Sequence, residues 1–401
     1  MCGARRVDGL KSRRVGMETG LTKKKSRMAN MELLRIVSMM LIVVLHYLGK
    51  SELLPSLADK SLGLMAYYPW FFEALAIVAV NVYMLITGFF LADAPFKVSR
   101  LIRTVLQVWF YAVIIGVVAG AFGLFPAEGL CLHYLLCLVF PVSMNHYWFM
   151  TAYVFMIVFT PFVAAGARVL GKKQLQIVLA ILLIVFSVVK SVLPVRLDSD
   201  MLGYDSVWYL CVCVLAVYIR LYGIPFLHTV KRGLLLWVGG AVAIFLVTMG
   251  LRIVYVKTDQ LGTVLSMCYH YNHMLTLLAS LGIFSAFYRM KLSGARVTKW
   301  ILRVSPYTLG VYLLHEHLAL RYAWQDWLGA GQAAGSPLMI LWILLAVCVV
   351  FLAGILVDAL RSLVFAGAHK VLSFLAPYRK LVAVVDNLDE KMRENKERDE
   401  D

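Results

Sequence analysis

Residues 31–49 read MELLRIVSMMLIVVLHYLG, a run long enough to cross a bilayer core as a helix rising 1.5 Å per residue. Its only acidic or basic side chains are Glu32, Arg35 and His46. Nine further apolar blocks follow, at roughly 68–91, 101–125, 147–165, 174–192, 206–221, 233–251, 267–289, 301–321 and 337–357. Over its 401 residues the chain is 61% apolar and 15% charged, where soluble domains run about 45–50% and about 25%. Its mean hydropathy is +0.79. The fold class this predicts is all-α: a polytopic membrane protein of about ten transmembrane helices. The apolar stretch 130–141 is too short to span, ends at Pro141 and reads as re-entrant or interfacial.

Lysine and arginine orient the spans, because cytoplasmic segments keep an excess of positive charge. With the N-terminus inside, the outer segments hold Lys50, Lys60, Lys190, Arg196, Arg252, Lys257 and Arg321, and the other 32 of the 39 basic residues fall inside. This alternation predicts that both termini are cytoplasmic. It also absorbs most of the net charge of +16, so no nucleic-acid partner is needed to explain it, and the basic residues 5–27 suit an anionic inner leaflet of membrane lipid. Three regions are expected: a basic cytoplasmic tail over 1–30, a ten-helix membrane domain over 31–380, and a charged cytoplasmic tail over 381–401. From about 386 that last tail reads DNLDEKMRENKERDED, the composition of solvated helix or disorder. No secretory signal is expected, since no small-residue cleavage site follows the first apolar run. Met17, Met28 and Met31 are further candidate starts, and the first 27 residues look dispensable to any core.

Several chemistries are excluded at this level. The chain has no Gly-rich phosphate loop, no zinc-type cysteine spacing and no internal repeat of 20–50 residues. Among its seven cysteines there is no CxxC, and Cys211, Cys213, Cys268 and Cys348 lie in apolar blocks, where a small hydrophobe is the ordinary role. Cys131 and Cys137 could pair.

Ionisable side chains inside spans are costly unless paired or wetted, so each is a functional-site candidate. Arg35 and His46 lie eleven positions apart on one face of span 1, about 16 Å along its axis. A snorkelling arginine and an interfacial histidine would account for them equally. Arg100 and Arg103 open span 3 with Gln107 a turn deeper; at i and i+3 the two guanidiniums share a face and suit a polyphosphate or carboxylate. The positive-inside rule also places arginines there. A third set lies toward the outer level: Glu73, His146, Trp148, Tyr153, His270, His273, His315, Glu316 and His317, with Asn81 near the floor of a wet vestibule. Trp148 and Tyr153 read equally well as belt aromatics. A carboxylate within VYLLHEHLAL (311–320) needs a partner or water. His315 and His317 point apart on a helix, and no metal site is expected.

Taken together, MELLRIVSMMLIVVLHY (31–47) resembles the opening of the integral-membrane acyltransferase-3 family, in which Arg or Lys is followed by ten residues and then His. Arg100 and Arg103 match that family's Arg-x-x-Arg at the start of span 3. NVYMLITGFFL (81–91), HYWFMTAYVFMIVFTPF (146–162) and SPYTLGVYLLHEH (305–317) resemble three further family segments in the right order. Departures are Thr87 where the family usually has Ser, and the lack of a proline after Arg103.

The resemblance implies a bacterial plasma (inner) membrane enzyme that moves an acyl group, most often acetyl, from cytosolic acyl-coenzyme A (acetyl-CoA) to a hydroxyl of a cell-surface glycan or lipid-linked sugar. On this reading His46 and Arg35 are catalytic, with His46 a general base or a nucleophile, and Arg100 and Arg103 bind the coenzyme A co-substrate. Glu73, Asn81, Trp148, Tyr153, His315 and Glu316 contact the acceptor, and Asn81, Tyr153 or Tyr312 serve as oxyanion donors. The alternative is a transporter or flippase of a sugar or lipid-linked precursor, a class that more often carries inverted repeats and broken midplane helices.

Overall fold

A computed structural model describes residues 27–193 and 201–400. Residues 1–26, most of the expected basic tail, lie outside the described residues, as does Arg196. Among the described residues all regular structure is helical. The elements are α1 (Ala29–Gly49), α2 (Tyr68–Ala76), α3 (Ala79–Leu91), α4 (Val98–Ala121), α5 (Leu132–Val139), α6 (Trp148–Leu183), α7 (Val189–Val192) and α8 (Ser206–Tyr222). They continue as α9 (Val230–Thr258), α10 (Met274–Arg289), α11 (Ala295–Val304), α12 (Thr308–His315), α13 (Trp324–Trp327), α14 (Ala330–Ala333), α15 (Met339–Leu372) and α16 (Ala376–Glu400).

Among the described residues six stretches are long and apolar enough to cross a membrane by length and composition: Ala29–Gly49, Leu64–Leu91, Val98–Ala121, Trp148–Val192, Val230–Thr258 and Met339–Leu372. Burial sorts them into two layers. The α2–α3 run is 83% buried and α1 61%, whereas α4, the 148–192 run and α9 are each 22% buried. The first two therefore form the centre, joined by α8, whose residues from Trp208 to Ile219 are almost all enclosed. The others ring this core and turn Val117, Phe162, Leu246 and Leu352 outward. An apolar belt of that extent is stable only against an apolar solvent, and the molecule is a multi-pass helical membrane protein.

The expected spans meet the helices unevenly. Spans 147–165 and 174–192 are joined into one run, broken at Gly171, whose φ of 68° and ψ of 177° leave the helical region. The expected span 301–321 is not one helix. α11 gives way to a 3-10 turn at Ser305–Tyr307, and α12 ends at His315 after eight residues. Pro306 lacks the N–H that a continuous ladder would use, and beyond His315 the polar side chains are taken up by tertiary partners. The expected span 267–289 begins as α10 only at Met274, after His273, whose Nδ1 caps Leu275 N–H at 3.3 Å. The 130–141 stretch forms the short helix α5, and Cys131 and Cys137 are free thiols.

Small residues let the helices approach. A Cβ at Gly282 would lie 2.6 Å from Trp237 N, and one at Gly233 2.7 Å from Ala286 N, so α9 and α10 meet backbone to backbone, the packing favoured where lipid gives no hydrophobic drive between helices. Likewise a Cβ on Gly310 of α12 would collide with Asp358 of α15. Asp358 is fully buried and satisfied by Arg361 (2.7 Å), Gln107 (2.9 Å) and the Tyr111 hydroxyl (3.1 Å). These contacts fix α12 beside α1, α4 and α15, so that its C-terminus faces the last turn of α1.

Candidate active site

His46 lies in the last turn of α1, and His315 and Glu316 stand at the C-terminal end of α12. His46 Nδ1 is 2.8 Å from His315 Nε2 and 3.2 Å from Glu316 Oε2. His315 Nδ1 is 2.6 Å from the carbonyl oxygen of Val311 one turn back. A carbonyl only accepts, so His315 carries its proton on Nδ1 and offers a lone pair at Nε2. Two acceptors then face His46 Nδ1, which must hold the proton. The basic lone pair of His46 is thereby placed on Nε2, pointing away from both partners.

Glu316 is 2% exposed and would be untenable alone. Lys50, one turn beyond His46, donates to both its oxygens at 2.5 Å, and Arg321 approaches Oε1 at 3.4 Å. Arg321 also donates to the carbonyl oxygen of His146 at 2.8 Å, which ties this corner to the segment leading into α6. The ligand atoms of His46, His315 and Glu316 lie within 4.8 Å of one another, close enough for a metal triad. With two cations already on its carboxylate, however, Glu316 has little charge left to attract a third, and the set is better suited to orienting an imidazole.

Inward from His46 runs a file of aromatic rings. Tyr312 lies 6.3 Å from the imidazole between centroids, Phe149 5.4 Å from Tyr312, and Tyr83 and Tyr153 5.7 and 6.0 Å from Phe149. The Tyr312 hydroxyl is buried, with Phe149 N–H in reach of its oxygen, but its own proton meets no acceptor among the described residues, a costly arrangement unless a ligand supplies one. At the far end of this file, Arg35 and Arg100 both lie within electrostatic reach of Tyr153. Arg35 is held at 2.8 Å by Glu32, which also binds Arg27 at 2.9 Å.

Not every sequence candidate joins this line. Arg100 is half-buried toward Tyr153, but Arg103 is exposed and faces α16, so the pair divides between two surroundings. Asn81, expected at a vestibule floor, is fully buried and both ends of its amide are bonded, Nδ2 to Tyr271 O at 2.7 Å and Oδ1 to Trp208 Nε1 at 3.0 Å. These two bonds anchor Asn81 in the packing between Trp208 and Tyr271. His315 and Glu316, expected on the acceptor, are buried around His46 instead. Trp148 packs on Tyr204 at 4.8 Å and parallel to Tyr209 and Tyr271. Glu73 Oε2 is buried without a hydrogen-bond partner among the described residues, near Tyr269 and Tyr271 and in a separate group from His46. His146 and His317 pack ring to ring at 4.8 Å and bond to backbone, a structural pair.

Lys50, Tyr83, Phe149 and Arg321 belong to the site and were not singled out from the sequence. Lys50 had a signal, since it follows His46 by four residues and so shares its face. The others gave none, because an aromatic or an outer arginine in a membrane protein is ordinary.

Independently of this geometry, the sequence model of a family described as an acyltransferase domain, acyltransferase-3, matches residues 28–358. No curated protein and no solved structure matches the chain.

Proposed function

The chain belongs to the acyltransferase-3 family, and from that premise we propose that it is a membrane O-acyltransferase, carrying acetyl from cytosolic acetyl-CoA to a hydroxyl of a cell-surface or lipid-linked glycan. The observation that carries the catalytic assignment is the hydrogen-bonded set His46, His315 and Glu316, which leaves one imidazole lone pair free at the head of an aromatic file leading to Arg35 and Arg100.

His46 Nε2 takes the proton of the acceptor hydroxyl as its oxygen attacks the thioester carbonyl. The C–O bond forms, the carbonyl π pair moves to oxygen, and the orphaned Tyr312 O–H is the donor nearest to hand for that oxyanion. Collapse breaks the C–S bond, and the departing thiolate takes the proton back from His46. Through both steps Glu316 faces the transient imidazolium, with Lys50 and Arg321 holding the carboxylate in place. Arg35, Arg100 and Arg103 hold the phosphates of the donor at the inner mouth. The same reading places ten spans with both termini inside a bacterial plasma membrane, the acceptor arriving from the outer side.

His46→Ala tests this directly. Membranes bearing the variant are expected to release no thiol from acetyl-CoA and to leave no alkali-labile acetate on surface glycan, while the purified protein still binds coenzyme A. Transfer at the wild-type rate would remove His46 from the mechanism. A folded wild-type protein that neither binds nor turns over acetyl-CoA would favour a transporter.

A further inference from the structure

The C-terminal residues expected as a solvated tail form α16, which folds back from α15 and lies across the first turn of α4. The corner is tied: Arg379 donates to the carbonyl oxygens of Ser373 and Phe374 at 3.2 Å, and the Tyr378 hydroxyl bonds with His369 Nδ1 at 2.8 Å. The first turn of α4 has no cap of its own, because its N-cap residue Lys97 makes no side-chain hydrogen bond. Its unpaired N–H groups and partial positive charge are met by Asp389, 290 residues away. Ser99 N–H donates to Asp389 Oδ1 at 3.3 Å and the Ser99 hydroxyl to Oδ2 at 2.5 Å.

Lys97 and Arg100 lie within electrostatic reach of the same carboxylate. Partial burial opposes its ionisation, but hydrogen bonds from Ser99 and Val98, with Lys97 beside it, hold the Asp389 carboxyl below its usual range. Next to the contact is a cleft of about 260 Å³ between the two helices, lined by Ile102, Arg103, Tyr378 and Asp386 among others. A helix start with free N–H groups beside two arginines has the chemistry of a phosphate site, and here a carboxylate of the chain itself holds it.

We propose that α16 is an autoinhibitory strap: Asp389 occupies the place at the start of α4 that a phosphate of the nucleotide donor takes, and donor binding displaces the helix. The proposal rests on the reading above, in which Arg100 and Arg103 hold coenzyme A. Weak attachment fits a displaceable element better than a buttress. Leu381, Val384, Leu388 and Met392 all remain 40% exposed or more, so α16 buries little apolar surface, and helices held mainly by a polar contact open readily. The strap would keep the inner mouth closed to other anions until a ligand with several phosphates competes for it.

Coenzyme A titration of the full-length, detergent-purified protein tests this, with wild type, Asp389→Asn, Glu390→Gln and Arg100→Ala/Arg103→Ala compared and folding checked by thermal unfolding. Asp389→Asn is expected to tighten binding roughly ten-fold, the competition removed with one charged contact. Glu390→Gln, on the same helix and paired with Arg393 at 3.4 Å, is expected to leave affinity unchanged. Coenzyme A added to wild type should raise amide hydrogen exchange across 376–394. Wild-type or weaker affinity in a folded Asp389→Asn protein, with binding lost in the double arginine variant, overturns the strap and leaves the donor site standing. No saturable binding by either wild type or Asp389→Asn, or full binding by the double arginine variant, overturns the donor reading itself.

Discussion

The proton on His46 is settled by a neighbour's backbone bond. Because Val311 O takes the Nδ1 proton of His315, His315 Nε2 and Glu316 both face His46 as acceptors, and the lone pair that the proposed mechanism uses has one place left to go. Polarity at Tyr312 is arranged the other way, as a buried donor without an acceptor. Such a group costs about 1–3 kcal/mol in the resting protein and is recovered only when charge develops beside it. Tyr312→Phe is therefore expected to lower turnover of acetyl-CoA by roughly 10²-fold with coenzyme A affinity kept, measured as thiol release against direct binding. Equal loss in both quantities would mark Tyr312 as a packing residue.

Among the helices, the brevity of α12 is what builds the site. Had it continued to 321, His315 and Glu316 would lie on its side and not at its end, and Arg321 would be a turn and a half further along the same rod. Stopping at His315 lets the chain turn back, so that Arg321 reaches Glu316 and the carbonyl of His146. The α9–α10 seam carries a different demand. At Gly282 the neighbouring backbone stands where a side chain would begin, so Gly282→Leu is expected to cost roughly 1–3 kcal/mol or more and to lower the unfolding temperature in detergent by several degrees. Because the seam is remote from His46, whatever protein folds should keep its coenzyme A affinity. A variant as stable as wild type would show that the helices can part without loss.

As a whole the molecule separates an enclosed core of α1, α3, α8 and α10 from an apolar ring of α4, α6, α9 and α15. In the proposed mechanism His46 acts from the core and its partners from the end of α12, while the arginines assigned to the donor lie at one rim. Donor and acceptor can then approach from opposite faces, which requires the arginine rim to be cytoplasmic. A reporter fused after Asp401 is expected to be active in the cytoplasm and shielded from external protease or impermeant label. Labelling from outside in intact cells would invert the orientation and with it the route of the donor.

How much was legible beforehand depends on the range of the interaction. Helical class, membrane residence, the Arg35 and His46 face and the family itself follow from composition, periodicity and short motifs, all properties of contiguous sequence that act within a helix or between a helix and its solvent. The break of the 301–321 segment was half legible, since Pro306 is visible, but its end at His315 is set by partners on α1 and before α6. Nothing local to Asn81 reveals that its amide bonds to Trp208 and Tyr271. Lys50 looked like an orientation charge until Glu316 came within reach. Asp389, in a segment whose composition says only that it is solvated, meets Ser99 across 290 residues. The sequence by itself determined what the chain dissolves in and which chemistry it carries. Only the tertiary structure decided which polar groups are spent on one another and which are left for substrate, because a buried polar group's role depends on its partners, and those come from distant parts of the chain.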